Sequence, residues 1–207
     1  MFITFEGPEG GGKTTQSRRL VAWLRDAGRE VLAVREPGGT AIGDAIRRIL
    51  LDFQTTNMDA RAELLLFCAS RAQLVTEKIA PFLQSGGIVV CDRFADSSLA
   101  YQGYGRGLDL DDMRAILRLA THGLTPNLTL LLDIDIDAGL QRKSTNSDWN
   151  RLDAEASDFH RRVRAGYLEL AAQAPQRWVT VRADRAEDIV ATQITDIVRS
   201  RLPSILS

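Results

Sequence analysis

The chain has 207 residues, with 26 Lys or Arg against 27 Asp or Glu and a formal net charge of −1. That balance gives no overall field to recruit nucleic acid or an anionic membrane, and no apolar run reaches the roughly 20 residues that span a bilayer. The length predicts one domain over 1–207 with a substantial core. Cys68 and Cys91 lie in apolar segments without metal-ligand spacing, as in a reduced cytoplasmic protein. A strand begins almost at residue 1, so no secretory segment is expected. All basic residues except Lys13, Lys78 and Lys143 are arginine, whose planar fork suits phosphate, although a solvated surface accounts for most of them.

Phe2-Ile3-Thr4-Phe5 reads as the first strand. Gly7-Pro8-Glu9-Gly10-Gly11-Gly12-Lys13-Thr14 follows as G-x-x-x-x-G-K-[ST], and a helix opens at Thr15 with Leu20, Val21 and Leu24 on one stripe. Strand, glycine-rich loop and helix in that order predict a phosphate cradle. Inward-facing backbone N–H groups and the positive end of the helix hold the anion, Lys13 reaches the β- and γ-phosphates, and the Thr14 hydroxyl ligates Mg²⁺. Gly7 through Thr15 are thus the expected ATP-binding segment.

Val31-Leu32-Ala33-Val34 predicts strand two, stopped by Arg35-Glu36-Pro37-Gly38-Gly39-Thr40. Ile42, Ile46, Ile49 and Leu50 form a helical stripe with Arg47 off it. A long helix is predicted over 59–84 with Pro81 as a possible bend. Ile88-Val89-Val90-Cys91 is strand three, ending at Asp92-Arg93. Short helices follow over 96–102 and 111–120, then a fourth strand over 129–134. The polar stretch 141–151 is loose enough to move, and a lid is expected over about 141–153. A helix over 154–174, a fifth strand over 178–181 and a helix over 187–202 close the chain. Alternating helices and nearly continuous apolar strands predict an α/β fold: a five-stranded parallel sheet between two helical layers, the three-layer P-loop NTPase arrangement, with a mobile lid.

Neither D-x-x-G nor N-K-x-D occurs, which argues against a GTPase switch. Asp92-Arg93 falls where open parallel sheets place their ligands, at the C-terminal end of a central strand. Asp92 is therefore the expected carboxylate near Mg²⁺, with Asp133 the rival, and Arg93 the expected bridge between donor and acceptor phosphates. The reading is phosphoryl transfer to a second small molecule. A nucleoside kinase would need a carboxylate base, for which Glu6 and Glu36 are available, and a nucleotide-binding regulator without catalysis is the alternative from another class.

The P-loop, Arg35-Glu36-Pro37-Gly38-Gly39, Phe67-Cys68-Ala69-Ser70-Arg71, Asp92-Arg93-Phe94, Ser97 through Gly103 and Arg151-Leu152-Asp153 together resemble the bacterial thymidylate kinases over the whole chain. The resemblance implies transfer of the ATP γ-phosphate to dTMP with Mg²⁺, and a homodimer. It implies a base pocket from Phe67, which stacks on the pyrimidine, and Arg71, which donates to its carbonyl edge, with Ser98, Tyr101 and Gln102 at the base and sugar. It assigns Arg47 and Arg93 to the acceptor phosphate, with Glu36 and Glu9 beside them. Family members with a P-loop arginine use it at the γ-phosphate. This loop has Glu9 instead, so the cation is expected from the lid, Arg151 first and Arg142 and Lys143 behind it. Relatives carry a denser run of lid arginines than 144–150 does here.

Overall fold

The computed structural model describes residues 1–55, 57–145 and 149–205. Strands β1 (Phe2–Glu6), β2 (Val31–Arg35), β3 (Ile88–Asp92), β4 (Leu128–Asp133) and β5 (Trp178–Arg182) form one sheet in the order β2-β3-β1-β4-β5. Every pairing is parallel, and Ile3 of β1 lies level with Val90 and Leu128 of its neighbours.

Side chains alternate across the sheet, as the period of two requires. Ile3, Phe5, Val90, Leu128, Leu130 and Leu132 face α1 (Lys13–Asp26) and α9 (Glu187–Arg201) in one core. On the opposite face, Leu131 packs with α3 (Ala60–Leu74), α6 (Leu110–Thr121) and α8 (Ser157–Gln173), and Phe2, Val89 and Cys91 pack with Leu74, Val75, Ile79 and Phe94. The helix α2 (Ala41–Leu51) lies against α3. Its apolar stripe does not all turn inward: Leu50 is buried, but Ile42 and Ile49 are 54% and 47% exposed.

The long helix of the sequence reading is one run interrupted by geometry. The helix α3 passes through a π turn, Val75–Ile79, into α4 (Ala80–Gln84). Pro81 has no N–H for the carbonyl four residues earlier and crowds it, so the ladder widens just before the proline. After β3, α5 (Ala95–Ser98) likewise runs into a π segment, Leu99–Gly105. Between β4 and α8 the structure adds a helix that the sequence does not predict, α7 (Ile136–Ser144), capped by Asp135, whose side chain accepts from the N–H groups of Asp137 and Ala138. The chain leaves β1 toward β2 through α1 on one face, and leaves β3 toward β4 through α5 and α6 on the other. The strand order therefore reverses between β1 and β3, and a crevice opens at their C-terminal ends.

Candidate active site

Two glycines show why the loop after β1 has its sequence. Gly12, with φ 78°, is the left-handed residue that caps α1. Gly10, with φ 70°, lies so close to α7 that a Cβ there would stand 2.0 Å from the carbonyl oxygen of Gly139. The loop is thus wedged backbone to backbone against α7. Lys13 is nearly buried and its Nζ donates to the Pro8 carbonyl at 2.7 Å. Burial, helped by Arg93 and opposed by Glu9 and Asp92, lowers its pKa to about 8.

Thr14 Oγ1 donates to Asp92 Oδ2 at 2.6 Å, so the two expected metal ligands meet at the mouth of the loop. A hydroxyl and a carboxylate are the hard oxygen donors that Mg²⁺ takes alongside phosphate and water. Among the described residues no cluster of three or more His, Cys, Asp or Glu could cage a metal. Asp133, the rival carboxylate, is forked by Arg164 at 2.7 and 2.9 Å.

Arg93 is the structural centre of the crevice. Its backbone is left-handed, φ 70°, a conformation that costs a non-glycine residue about 1–2 kcal/mol. The peptide is pinned there, its N–H donating to Phe5 O at 2.9 Å and its carbonyl accepting from Cys91 Sγ. The guanidinium donates to Gly7 O, Ser97 Oγ, Tyr167 Oη, Tyr101 Oη and Glu9 Oε1, the last at 2.7 Å. Burial works against that charge, but Glu9 and the hydroxyls outweigh it and hold the pKa well above the arginine norm. For Glu9 too, burial is overcome by Arg93 and Lys13, so its carboxylate stays ionised below the usual range.

The crevice encloses about 500 Å³. Glu9, Gly10, Gly12, Lys13, Thr14 and Thr15 form its floor, with Asp92 and Arg93 beside them. Glu36, Arg47, Phe67, Ser98, Tyr101 and Gln102 form a second wall. Arg47 Nη1 donates to Pro37 O at 3.0 Å. Arg71 stands one layer behind that wall, 1% exposed. Its Nε donates to Glu36 Oε2 at 2.7 Å, its Nη1 to Ser98 Oγ and its Nη2 to Phe94 O. Glu36 Oε1 is buried with no hydrogen-bond partner in the protein, so its acceptor capacity is not met by the fold. Gly7, Pro8 and Gly11 support the floor from outside the lining.

The lid residues divide. Lys143, Asn150, Leu152 and Asp153 line the crevice, with Lys143 Nζ 3.7 Å from Asp153; 146–148, also within the expected lid, lie outside the described residues. Arg142 donates to Ala183 O beyond β5. Arg151, expected at the γ-phosphate, is placed elsewhere. It is buried, donating to Leu50 O at 3.1 Å and to Glu63 Oε2 at 2.6 Å. Such a pair is held because exposing either charge alone in a buried site is costly.

Some of the crevice was not read from the sequence. Arg18, one helical turn after Thr14, and Arg35 also line it; the i, i+4 spacing from Thr14 was the available signal for Arg18. Glu6 is fully buried, accepting from Phe94 N–H at 2.8 Å, Ser97 Oγ at 2.5 Å and Tyr167 Oη at 3.0 Å. Burial and the neighbouring Asp96 raise its pKa to about 7. With Glu36 held by Arg71, neither carboxylate nominated as a nucleoside base is free of strong partners. Tyr167 reaches this cluster from α8 with no local sequence signal.

A family model described as thymidylate kinase matches residues 5–194. The chain is 51% identical to the thymidylate kinase of Roseiflexus sp. (strain RS-1), covering 99% of this chain and 96% of that protein. It is 51% identical to the thymidylate kinase of Deinococcus radiodurans, with 97% of each covered. The crystal structure of thymidylate kinase from Ehrlichia chaffeensis superposes with a TM-score of 0.80 at 33% identity, over 96% of this chain and 98% of that one.

Proposed function

The chain belongs to the thymidylate kinase family, and from that premise we propose how its crevice carries the γ-phosphate of ATP to dTMP, giving dTDP and ADP. The observation that carries the assignment of roles is the convergence of the P-loop, Arg93 and the Phe67 wall on one 500 Å³ cavity. Gly7 through Thr15 hold the triphosphate, with Lys13 on its β- and γ-oxygens. Arg142, beside Ala183, belongs to the adenine end of the donor site. Phe67 stacks on thymine, Ser98 and Gln102 face the base edge, and Arg71 acts on that edge through Ser98 and Glu36. The Tyr101 ring leaves little room for a 2′-hydroxyl, and Glu36 Oε1 receives a sugar hydroxyl or water.

No general base is required. The acceptor is a phosphate monoester with a second pKa of about 6, mostly dianionic near neutrality. The difficulty is to bring two polyanions together and stabilise charge on the group in transit. Arg93 exchanges Glu9 for phosphate oxygens, and Arg47 takes the outer side of the acceptor phosphate. Thr14 and Asp92 would hold Mg²⁺, which when bound neutralises charge on the triphosphate. Lys143, on the crevice, is better placed than Arg151 to bring the lid's charge to the γ-phosphate. Closing the segment 141–153 over the site would exclude water and suppress ATP hydrolysis.

The reading takes the chain as one domain, supported by a crevice drawn from β1, β3, α2, α3 and the lid. Homodimerisation is part of it, supported by Ile42, Ile49 and Leu65, all large apolar side chains about half exposed on α2 and α3. No helix among the described residues is long and apolar enough to cross a membrane, and the two buried free thiols support a cytoplasmic setting. Turnover of dTMP, dUMP, thymidine and CMP with ATP and Mg²⁺ tests the assignment. dTMP should be the best acceptor; phosphorylation of thymidine alone would contradict it.

A further inference from the structure

Behind the wall formed by Phe67, Ser98 and Gln102 lies a buried carboxylate that does not line the crevice. Glu63, on α3, is fully buried, yet it is saturated with donors from three residues on two other segments. Its Oε1 accepts from Gln102 Nε2 at 2.9 Å and Arg106 Nε at 3.2 Å. Its Oε2 accepts from Arg106 Nη2 at 3.1 Å and Arg151 Nη2 at 2.6 Å. An ionised carboxylate offers about four acceptor positions and no donor, so this set fills it. Although burial alone would lift the Glu63 pKa, these donors hold it below the ordinary value.

An acceptor-only partner dictates which way an amide turns. Gln102 can meet Glu63 only through its NH₂ group, and its carbonyl oxygen is then the end left for a ligand. Gln102 lines the crevice although it is 1% exposed, so that orientation is a property of the site. A carbonyl oxygen accepts the N3–H of thymine and repels the N3 lone pair of cytosine. Glu63 also holds Arg151, at the end of the lid, to the same point. We propose that Glu63 is a positioning residue for acceptor specificity: it imposes the polarity of Gln102 so that the pocket takes a pyrimidine bearing N3–H, while fastening the lid's base through Arg151. This rests on the dTMP-kinase reading above. If the native enzyme does not phosphorylate dTMP, that reading fails before Glu63 is tested.

The test compares kcat/KM for dTMP and dCMP in native enzyme, Glu63→Gln, Gln102→Met and the double variant, with thermal melting on each. A glutamine at 63 can donate as well as accept, so Gln102 loses its imposed direction. The dTMP-to-dCMP ratio should fall about tenfold, roughly one lost hydrogen-bond preference, in both single variants, with little further fall in the double variant. A merely structural role would lower kcat and melting temperature and leave the ratio unchanged. That result, or two independent and additive losses, overturns the proposal. Should Glu63→Gln fail to fold, Gln102→Met decides: a lost ratio supports the proposal and an unchanged one ends it.

Discussion

Two arginines, Arg93 and Arg151, meet opposite fates in this molecule. Both were candidates for phosphate chemistry, and both end in the company of carboxylate and carbonyl oxygens. Arg93 sits in the crevice with its guanidinium spread over Glu9, Gly7 O and three hydroxyls. In the proposed mechanism, incoming phosphate oxygens replace Glu9 there, and Glu9 keeps Tyr101 Oη and the nearby Lys13 as partners. Arg151 is fixed to Glu63 and Leu50 O away from the crevice lining, and withdrawing it would strip a buried carboxylate of a partner. On the proposed mechanism, charge alone does not make a catalytic arginine; an exchangeable partner on the crevice does.

The contrast predicts the largest effect at the crevice. Lys13→Ala and Arg93→Ala should each reduce kcat by about 10³ or more, the size associated with cations on a transferring phosphoryl group, with the fold retained although Arg93→Ala also lowers the melting temperature by leaving Glu9 without its ion partner. Near-native turnover in either variant would remove that residue from the mechanism. Arg151→Ala should behave inversely. It should lose about 3 kcal/mol of stability, as when one partner of a buried pair is removed, while kcat falls far less than in Arg93→Ala. A thousandfold kcat loss with unchanged denaturant midpoint would return Arg151 to the γ-phosphate.

Arg71→Ala sharpens the comparison from a third position, behind the wall. It should raise the KM for dTMP about tenfold, equivalent to 1.4 kcal/mol, and leave KM for ATP within about twofold. An unchanged dTMP KM would detach Arg71 from the base pocket. Gly139→Ala should act on the donor side alone, because its Cβ would meet Glu9 O at 2.3 Å and push the P-loop. ATP affinity should fall in isothermal titration while dTMP affinity holds.

The smallest effect is a pH dependence. With its pKa lowered to about 8, Lys13 is charged below that pH and progressively neutral above it. Since kcat/KM reports the free enzyme, kcat/KM for ATP should decline above about pH 8. Bound phosphates restore the lysine's charge, so kcat should persist to higher pH. Parallel declines in both would assign the titration to another group.

These cases also show what could be read from sequence. The five strands, the crevice at Asp92-Arg93 and the glycine-rich loop that supplies its floor come from local signals: period-two apolar runs, glycine spacing and a strand end. The helix α7 was hidden because its last turn falls in the polar stretch from Gln141, although Asp135 was a usable cap signal. Arg151, Glu63 and Tyr167 depend on contacts between segments distant in the chain, which no spacing rule encodes. The Ile42 and Ile49 stripe has ordinary helical spacing, and spacing cannot tell a core face from an exposed one.

The most direct measurement is a crystal structure with ADP, a planar phosphoryl mimic, Mg²⁺ and dTMP. The account predicts Arg93 moved from Glu9 onto the mimic and the acceptor phosphate, with Arg151 still held by Glu63. Arg151 on the mimic with Arg93 still on Glu9 would contradict it.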